Sequence, residues 1–504
     1  MLLNTTKATP KDTIPVKIIK DNLHFFSYIL YNNFNNSLKS SLFPDRLKLA
    51  DVSPVFKNGN KNDKLNYRPV SILPTISKIY ERLIFYQVNE YFDSKLSPYQ
   101  CGFRKNYSTQ YCLILMLEKW KRAIDNGDAA GALLTDMSKA FDCLSHELLI
   151  AKLEAYGFSY CALKLIHSYL TMRFQRVRIN SNYSTWSDII SGVPQGPILG
   201  PLLFNIYLAD LFISNGGINY ANYADDNTPY VVGKDLDYVI TKLKHDSQFL
   251  FNWLSDNALK ANPKKSHLLL NSSDTTCGIL INDKLIFNEN LVDLLGITID
   301  NDLSFKKHVT NLCLKASQKL HALSRVASYM TLEQRRLIMK SFIQSQFGYC
   351  PLIWMCHNRQ LNNRINRIHE RSLRVVYRDN LSSFDDLLYK DKSVSVHHRN
   401  LQILAIELFK VKNGIAPSLM NEIFTLKENV MYSSKQAFVT HNVRTVRYGT
   451  ETLTHLGPAI WLIIPDDIKE SISLNEFKNK IKYWTPKDCP CRLCKVYITG
   501  VGFI

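Results

Sequence analysis

The chain has 504 residues, enough for about three domains at roughly 100–200 residues each and for a core that needs no disulfide or metal staple. Hydrophobic residues make up 46% and charged residues 21%, which excludes a chain that is disordered, collagen-like or coiled coil throughout. Lys and Arg number 62 against 44 Asp and Glu, and the net charge of +18 points to a polyanionic partner, most often nucleic acid.

In chain order, residues 1–35 are polar and Asn-rich, and 44–75 are rich in turn formers and basic groups. The spacing of Ile79, Leu83, Tyr86 and Val88 predicts a helix over 77–92. Leu113, Leu117, Trp120 and Ile124 predict a second over 110–125, stopped by Asn126-Gly127. Residues 131–136 read as a buried strand ending in an acid, and 145–156 as a helix closed by Gly157. Residues 220–232 look like a hairpin centred on Asp225-Asp226. Beyond 305 the chain reads as helical and basic to about 378, and as less regular and more strand-like after that. The eleven cysteines, an odd number, suggest reduced thiols in the nucleus or cytoplasm rather than a secreted framework. No targeting core follows Met1, and no apolar run is long enough to span a membrane.

Two apolar strands end in acids: Gly131-Ala132-Leu133-Leu134-Thr135-Asp136 and Asn222-Tyr223-Ala224-Asp225-Asp226. A carboxylate at the rim of a core must be paired or bound to a cation. Adjacent like charges at Asp225-Asp226 repel, and a divalent metal is one way to keep both ionised. Hard oxygen donors favour magnesium or manganese over zinc. On spacing alone, Asp225-Asp226 is equally a solvated hairpin tip, and Asp136 a helix cap.

Other words surround these acids. Asn66-Tyr67-Arg68-Pro69-Val70-Ser71-Ile72-Leu73 precedes Ser77-Lys78-Ile79-Tyr80-Glu81, and Gln100-Cys101-Gly102-Phe103-Arg104 precedes Ser108-Thr109. Asp136-Met137-Ser138-Lys139-Ala140-Phe141-Asp142 ends at His146. Gly192-Val193-Pro194-Gln195-Gly196 runs into Leu199-Gly200-Pro201-Leu202-Leu203-Phe204. Tyr223-Ala224-Asp225-Asp226, Asn262-Pro263-Lys264-Lys265-Ser266 and Leu295-Gly296-Ile297-Thr298-Ile299-Asp300 follow. In this order the words resemble the successive motifs of the reverse transcriptase of non-long-terminal-repeat (LINE-like) retrotransposons. The stretch from Tyr349-Cys350-Pro351-Leu352-Ile353-Trp354 to the tail also resembles the C-terminal part of such reading frames.

The resemblance implies an α+β fold: a right-hand polymerase with an antiparallel-sheet palm, mixed fingers, a helical thumb and a C-terminal extension. It divides the chain into an N-terminal extension (1–37), fingers and palm (38–300), helical thumb and basic region (301–380) and C-terminal region (381–504). By match, Asp136, Asp225 and Asp226 hold two magnesium ions, with manganese as a substitute. Phe141 takes the place of the steric gate that excludes a ribose 2′-hydroxyl, and Gln195 lies beneath the incoming base and template. Lys265, with Lys264 as its rival, would protonate the leaving pyrophosphate. Arg68 and Arg104 would grip the triphosphate. The partners implied are an RNA template, a DNA primer and deoxynucleoside triphosphates. An endonuclease is not expected in this chain. The sequence departs from the family at Pro197, where Ser is usual, which removes a backbone donor. That departure is the feature in favour of the alternative, a decayed polymerase that only binds nucleic acid. Thr135, in place of a bulkier apolar residue, is expected to cost some packing.

Arg364, Arg367, Arg371, Arg374 and Arg378 recur at steps of three and four, on one face of a helix, with Ile365, Ile368 and Val375 on another. Such a stripe suggests an anionic partner or a solvated basic face. At the tail, Cys489, Cys491 and Cys494 offer three soft ligands where a structural zinc wants four. The nearest upstream histidine along the chain is His455, so three thiols are the default, and His397-His398 is expected to be structural.

Overall fold

The computed structural model describes residues 9–10, 13–137, 140–214, 217–261, 265–427, 437–486, 489–491 and 493. The chain forms two compact units, each discontinuous in sequence. The first comprises Met1–Phe103, Asp136–Gly217 and Gln248–Lys264; the second comprises Arg104–Thr135, Ile218–Ser247 and Lys265–Ile504. The expected segments were continuous stretches. The discontinuity follows from the sheet of the second unit, which draws its strands from three separate stretches of chain.

The strands that matter are β1 (Ala50–Phe56), β2 (Tyr67–Ile72), β3 (Ala129–Asp136), β4 (Arg173–Ile179), β5 (Asn182–Tyr183), β6 (Ser187–Ile189), β7 (Asn219–Tyr223), β8 (Asp226–Gly233) and β9 (His267–Leu270). In the first unit the sheet runs β2-β1-β4-β5, with β6 also on β4. β1 and β2 are antiparallel from Asp51 opposite Ile72 to Phe56 opposite Tyr67, whereas β1 and β4 are parallel. The sequence reading took 44–75 for turns; its strands are short, polar and interrupted by Pro54 and Pro69, so they lack a clean alternation. At the centre of this unit lies the helix Leu199–Ile213, which buries eleven of its residues. A helix apolar on every side has to be enclosed by protein or lipid. At fifteen residues it is enclosed by protein, packed against the helices Thr75–Phe92 and His146–Ala155. Among the described residues no helix is long and apolar enough to cross a membrane.

The helix Thr75–Phe92 corrects the expected face. Ile79, Tyr80, Glu81, Ile84 and Val88 are buried, while Tyr86 is 58% exposed. The Tyr80 ring sets its edge against Phe34 and Phe43, and the Glu81 carboxylate is needed inside the unit. These two residues rotate the helix by about one position relative to a reading based on apolar groups alone.

In the second unit the sheet order is β7-β8-β3-β9. β3, buried through residue 135, is an interior strand, as its continuous apolar run requires. The helix Thr109–Asn126 packs on β7 and β8. It starts at Ser108, whose side chain accepts from the Tyr111 amide, and stops at Gly127, φ +92°. A Cβ on Gly131 would fall 2.6 Å from Leu270 and 2.9 Å from Val239, so glycine is what lets β3 pack this closely against its neighbours. Beyond residue 305 the chain is helical, with Lys306–Val326 against Arg359–Tyr377 and Val396–Lys412 against Leu453–Ile463 and Leu474–Ile481. The strand-like reading of the C-terminal region is thereby corrected. Leu401, Leu404, Ala405 and Leu408 recur at helical spacing and are all buried.

Candidate active site

The second unit carries the acidic hairpin. β7 and β8 pair from Asn219 opposite Tyr230 to Tyr223 opposite Asp226, which leaves Ala224 and Asp225 as a two-residue turn. Ala224 has φ +58°, a left-handed conformation that costs an L-residue roughly 1–2 kcal/mol. Buried Asn222 braces the turn: its Nδ2 donates to the Ala224 carbonyl at 3.2 Å and to Asn227 Oδ1 at 2.7 Å. Asp225 and Asp226 are half-buried. β8 lies beside β3, and β3 ends on Asp136.

Thr135 fixes that neighbourhood. Its hydroxyl donates to the Asn227 carbonyl at 2.5 Å, so the residue before Asp136 is bonded to the residue after Asp226. The expected packing loss at Thr135 is corrected: the side chain is buried and its hydroxyl ties two strands together. β9 runs antiparallel to β3 with His267 opposite Leu134, so Lys265, exposed and two residues before β9, enters alongside the C-terminal end of β3. Lys264 lies outside the described residues.

The first unit carries the nucleotide-facing motifs. Phe141 lies on a single helical turn, Ala140–Cys143. Its ring stacks on Phe204 at 4.5 Å and meets the Phe103 ring edge-on at 5.9 Å, so it is half core residue and half surface. The Pro194-Gln195-Gly196 loop is held at several points. The Val193 amide donates to the Phe141 carbonyl at 2.8 Å, and the Ser71 amide, on β2, donates to the Gln195 carbonyl at 2.7 Å. Gly192, φ +79°, would place a Cβ 2.6 Å from the carbonyls of Phe141 and Asp142, so the motif needs glycine there. The Gln195 amide donates to Asp142 Oδ1 at 3.0 Å. Arg68 is exposed on β2, opposite Val55. In the second unit the Arg104 guanidinium lies 4.3 Å over the Tyr107 ring.

Three residues stood inside the quoted motifs without a role. Asp142 orients Gln195. Asn205 and Gln100 lock the Gln-Cys-Gly-Phe word onto the central helix: Asn205 Nδ2 donates to the Gly102 carbonyl at 2.8 Å, and Gln100 Nε2 donates to the Asn205 carbonyl at 3.0 Å. A fourth, Glu81, caps that helix from outside, accepting from the Ile198 amide at 2.6 Å and the Leu199 amide at 3.3 Å. Burial pushes the Glu81 carboxyl above its ordinary range, and the Arg173 charge and these amides oppose the shift. Pro197, buried just before these donors, supplies no N–H of its own, and Glu81 satisfies the helix start without it.

The arginine stripe is only partly free. Arg367 and Arg371 are exposed and Arg364 is half-buried on the helix Arg359–Tyr377. Arg374 is paired with Glu370 at 2.7 Å. Arg378 is corrected: it lies past the helix in a left-handed cap, φ +54°, and donates to the carbonyls of Ala327 and Ser328. The core face is Leu361, Ile365, Ile368, Leu373 and Val376; Val375 is half-buried. The tail reading is also corrected. The histidine brought to Cys489 and Cys491 is His397, not His455, and Cys494 lies outside the described residues.

Residues 58–299 match the family model described as reverse transcriptase (RNA-dependent DNA polymerase), so the chain carries a reverse transcriptase domain. Domains of this family depend on divalent cations, and the oxygen donors of the braced Asp225-Asp226 turn suit one. The chain is 28% identical over 421 residues to a probable RNA-directed DNA polymerase from transposon BS of Drosophila melanogaster, covering 80% of this chain and 44% of that protein. It is also 28% identical over 314 residues to the RNA-directed DNA polymerase from mobile element jockey of the same fly, covering 60% and 34%. The resemblance to non-LTR retrotransposon polymerases is borne out. The chain spans less than half the length of these curated relatives. Among solved structures, apo telomerase from Candida Tropicalis aligns with 79% of this chain and 73% of its own at 11% identity, with a TM-score of 0.42.

Proposed function

We propose that the chain is an RNA-directed DNA polymerase of retrotransposon origin, which adds deoxynucleotides to a primer 3′-end on an RNA template. The observation that carries this reading is the bond from Thr135 to Asn227, which registers the strand ending in Asp136 against the strand opening with Asp226. Asp136, Asp225 and Asp226 would hold two magnesium ions. Bound there, the ions would lower the pKa of the primer 3′-hydroxyl and neutralise the triphosphate and the leaving pyrophosphate. The displacement is in line, so the remaining residues position and neutralise. Phe141, backed by Phe204 and Phe103, is a ring that cannot swing aside and would exclude the 2′-hydroxyl. Gln195, its amide tethered by Asp142, would lie flat under the base and template. Lys265 would hand a proton to pyrophosphate, and Arg68 and Arg104 would grip the phosphates. The same reading places the chain in the nucleus or cytoplasm, where its RNA template is found.

Primer extension on an RNA template, with deoxy- and ribonucleotides in parallel, tests the proposal. The parent should extend with deoxynucleotides. Asp225→Asn should abolish extension while RNA binding stays within a few-fold, because affinity comes mostly from basic groups elsewhere. Equal loss of binding and extension would show the acids to be structural. Ribonucleotide use as efficient as deoxynucleotide use would move the chain to another polymerase class.

A further inference from the structure

His397, Cys489 and Cys491 come together from stretches some ninety residues apart, and their ligand atoms all lie within 4.8 Å of one another. His397 is the second residue of the helix Val396–Lys412 and is 6% exposed; Cys489 is 1% exposed. His397 Nε2 lies 3.2 Å from Cys491 Sγ. Its Nδ1 is buried with no hydrogen-bond partner among the described residues. A ring fixed in this way leaves a polar atom unsatisfied at a cost of about 1–3 kcal/mol. One weak contact between sulfur and imidazole does little to offset that.

In a tetrahedral zinc site, Zn–S of about 2.3 Å and Zn–N of about 2.0–2.1 Å put neighbouring ligand atoms roughly 3.5–3.8 Å apart. The cluster is within a small side-chain adjustment of that spacing. Beside it is a cavity of about 30 Å³ lined by Cys356, His357, His397, Glu451 and Cys491. Its size suits one ion or one water, and Cys356 and Glu451 face it as further donors.

We propose that His397, Cys489 and Cys491 form a structural zinc site that fastens the tail of the chain to the start of the helix Val396–Lys412. Two thiolates and one neutral imidazole cancel the charge of the ion, and the set is soft enough to prefer zinc to magnesium. Binding releases both thiol protons to solvent, so occupancy rises with pH.

The test uses the full chain, purified without chelator and then loaded with zinc or cobalt(II) alone. The parent should retain about one zinc per chain through dialysis. Its cobalt form should show tetrahedral d–d bands with thiolate-to-cobalt charge transfer. Cys489→Ser and Cys491→Ser should each weaken zinc retention at least tenfold. His397→Cys should keep the metal and strengthen the charge-transfer band, a result that a merely misfolded variant would not give. A parent that holds no zinc above background, or a cobalt spectrum without thiolate bands, would reduce the cluster to a cysteine–histidine hydrogen bond and overturn the proposal. So would unchanged retention in the two serine variants.

Discussion

Thr135 shows how much a single hydroxyl sets at this site. Valine has nearly the same shape but cannot donate to the Asn227 carbonyl. Thr135→Val should therefore lower stability by about 1 kcal/mol, read as a shift in urea midpoint. It should slow extension by about tenfold, because small misplacements of reacting groups are costly. Thr135→Ser, which keeps the donor, should retain most of the activity. Equal rates for the two variants would show that the bond does not position Asp136. In the sequence, Asp136, Asp225, Phe141 and Gln195 were legible because motif order names them. The bond partner of Thr135 was not, because it lies about ninety residues away and nothing in residue spacing encodes it. Asp142 and Glu81 were present in the quoted words, but a carboxylate that orients a neighbour looks the same in sequence as one facing water.

The helix Arg359–Tyr377 teaches the same lesson for elements. Periodicity found the helix and its basic face, since steps of three and four are a property of the chain. It could not show that Arg374 is held by Glu370 or that the helix ends before Arg378. The structure therefore divides the stripe, and the division is measurable. Each phosphate neutralised contributes about −0.7 to the slope of log affinity against log salt on single strands and about −0.9 on duplex DNA. Replacing Arg367 and Arg371 with Gln should make the slope shallower by roughly 1.5–2 if both touch the backbone. Replacing Arg374 and Arg378 with Gln should leave the slope nearly unchanged and lower the melting temperature instead. The opposite pattern would put the nucleic-acid track on another face. The strands of 50–72 were missed for a related reason: they are shaped by sheet partners more than by any alternation of their own.

Across the whole chain, buried histidines tie stability to pH. Burial pushes His369 down to about 4, helped by the Arg399 charge and opposed by Asp391. Burial does the same to His308, opposed by Asp293 and helped by Lys315. His308 Nδ1 accepts from the Thr298 amide at 3.2 Å, a role only the unprotonated nitrogen can fill. Above pH 6.5 these imidazoles are neutral in folded and unfolded chains alike and add no pH dependence. As the pH falls from 6.5 toward 4, the unfolded chain takes up protons that the folded one refuses, so stability declines. For His369, nearly fully buried, the loss is on the order of 3 kcal/mol by pH 4. Urea midpoints followed by helix circular dichroism should fall over that window, and His369→Gln should flatten the curve. A midpoint independent of pH from 6.5 to 4 would mean that these rings are reached by water. Mixed α+β architecture was readable in the sequence through alternating patterns and motif order. The two-unit division was not, because it depends on which distant strands share a sheet.

That division has a consequence for synthesis. β3 leaves the ribosome early, yet its neighbours β8 and β9 begin only at residues 226 and 267. At translation speeds of about 5–20 residues per second, the most apolar strand of the sheet waits some 5–20 seconds for the first of them. Until then both of its edges offer unpaired amides and carbonyls to any other nascent chain nearby. Polysomes, where identical strands emerge side by side, are the place where that exposure is most hazardous, and a chaperone holding residues 129–136 would matter more to yield than any contact in the finished protein.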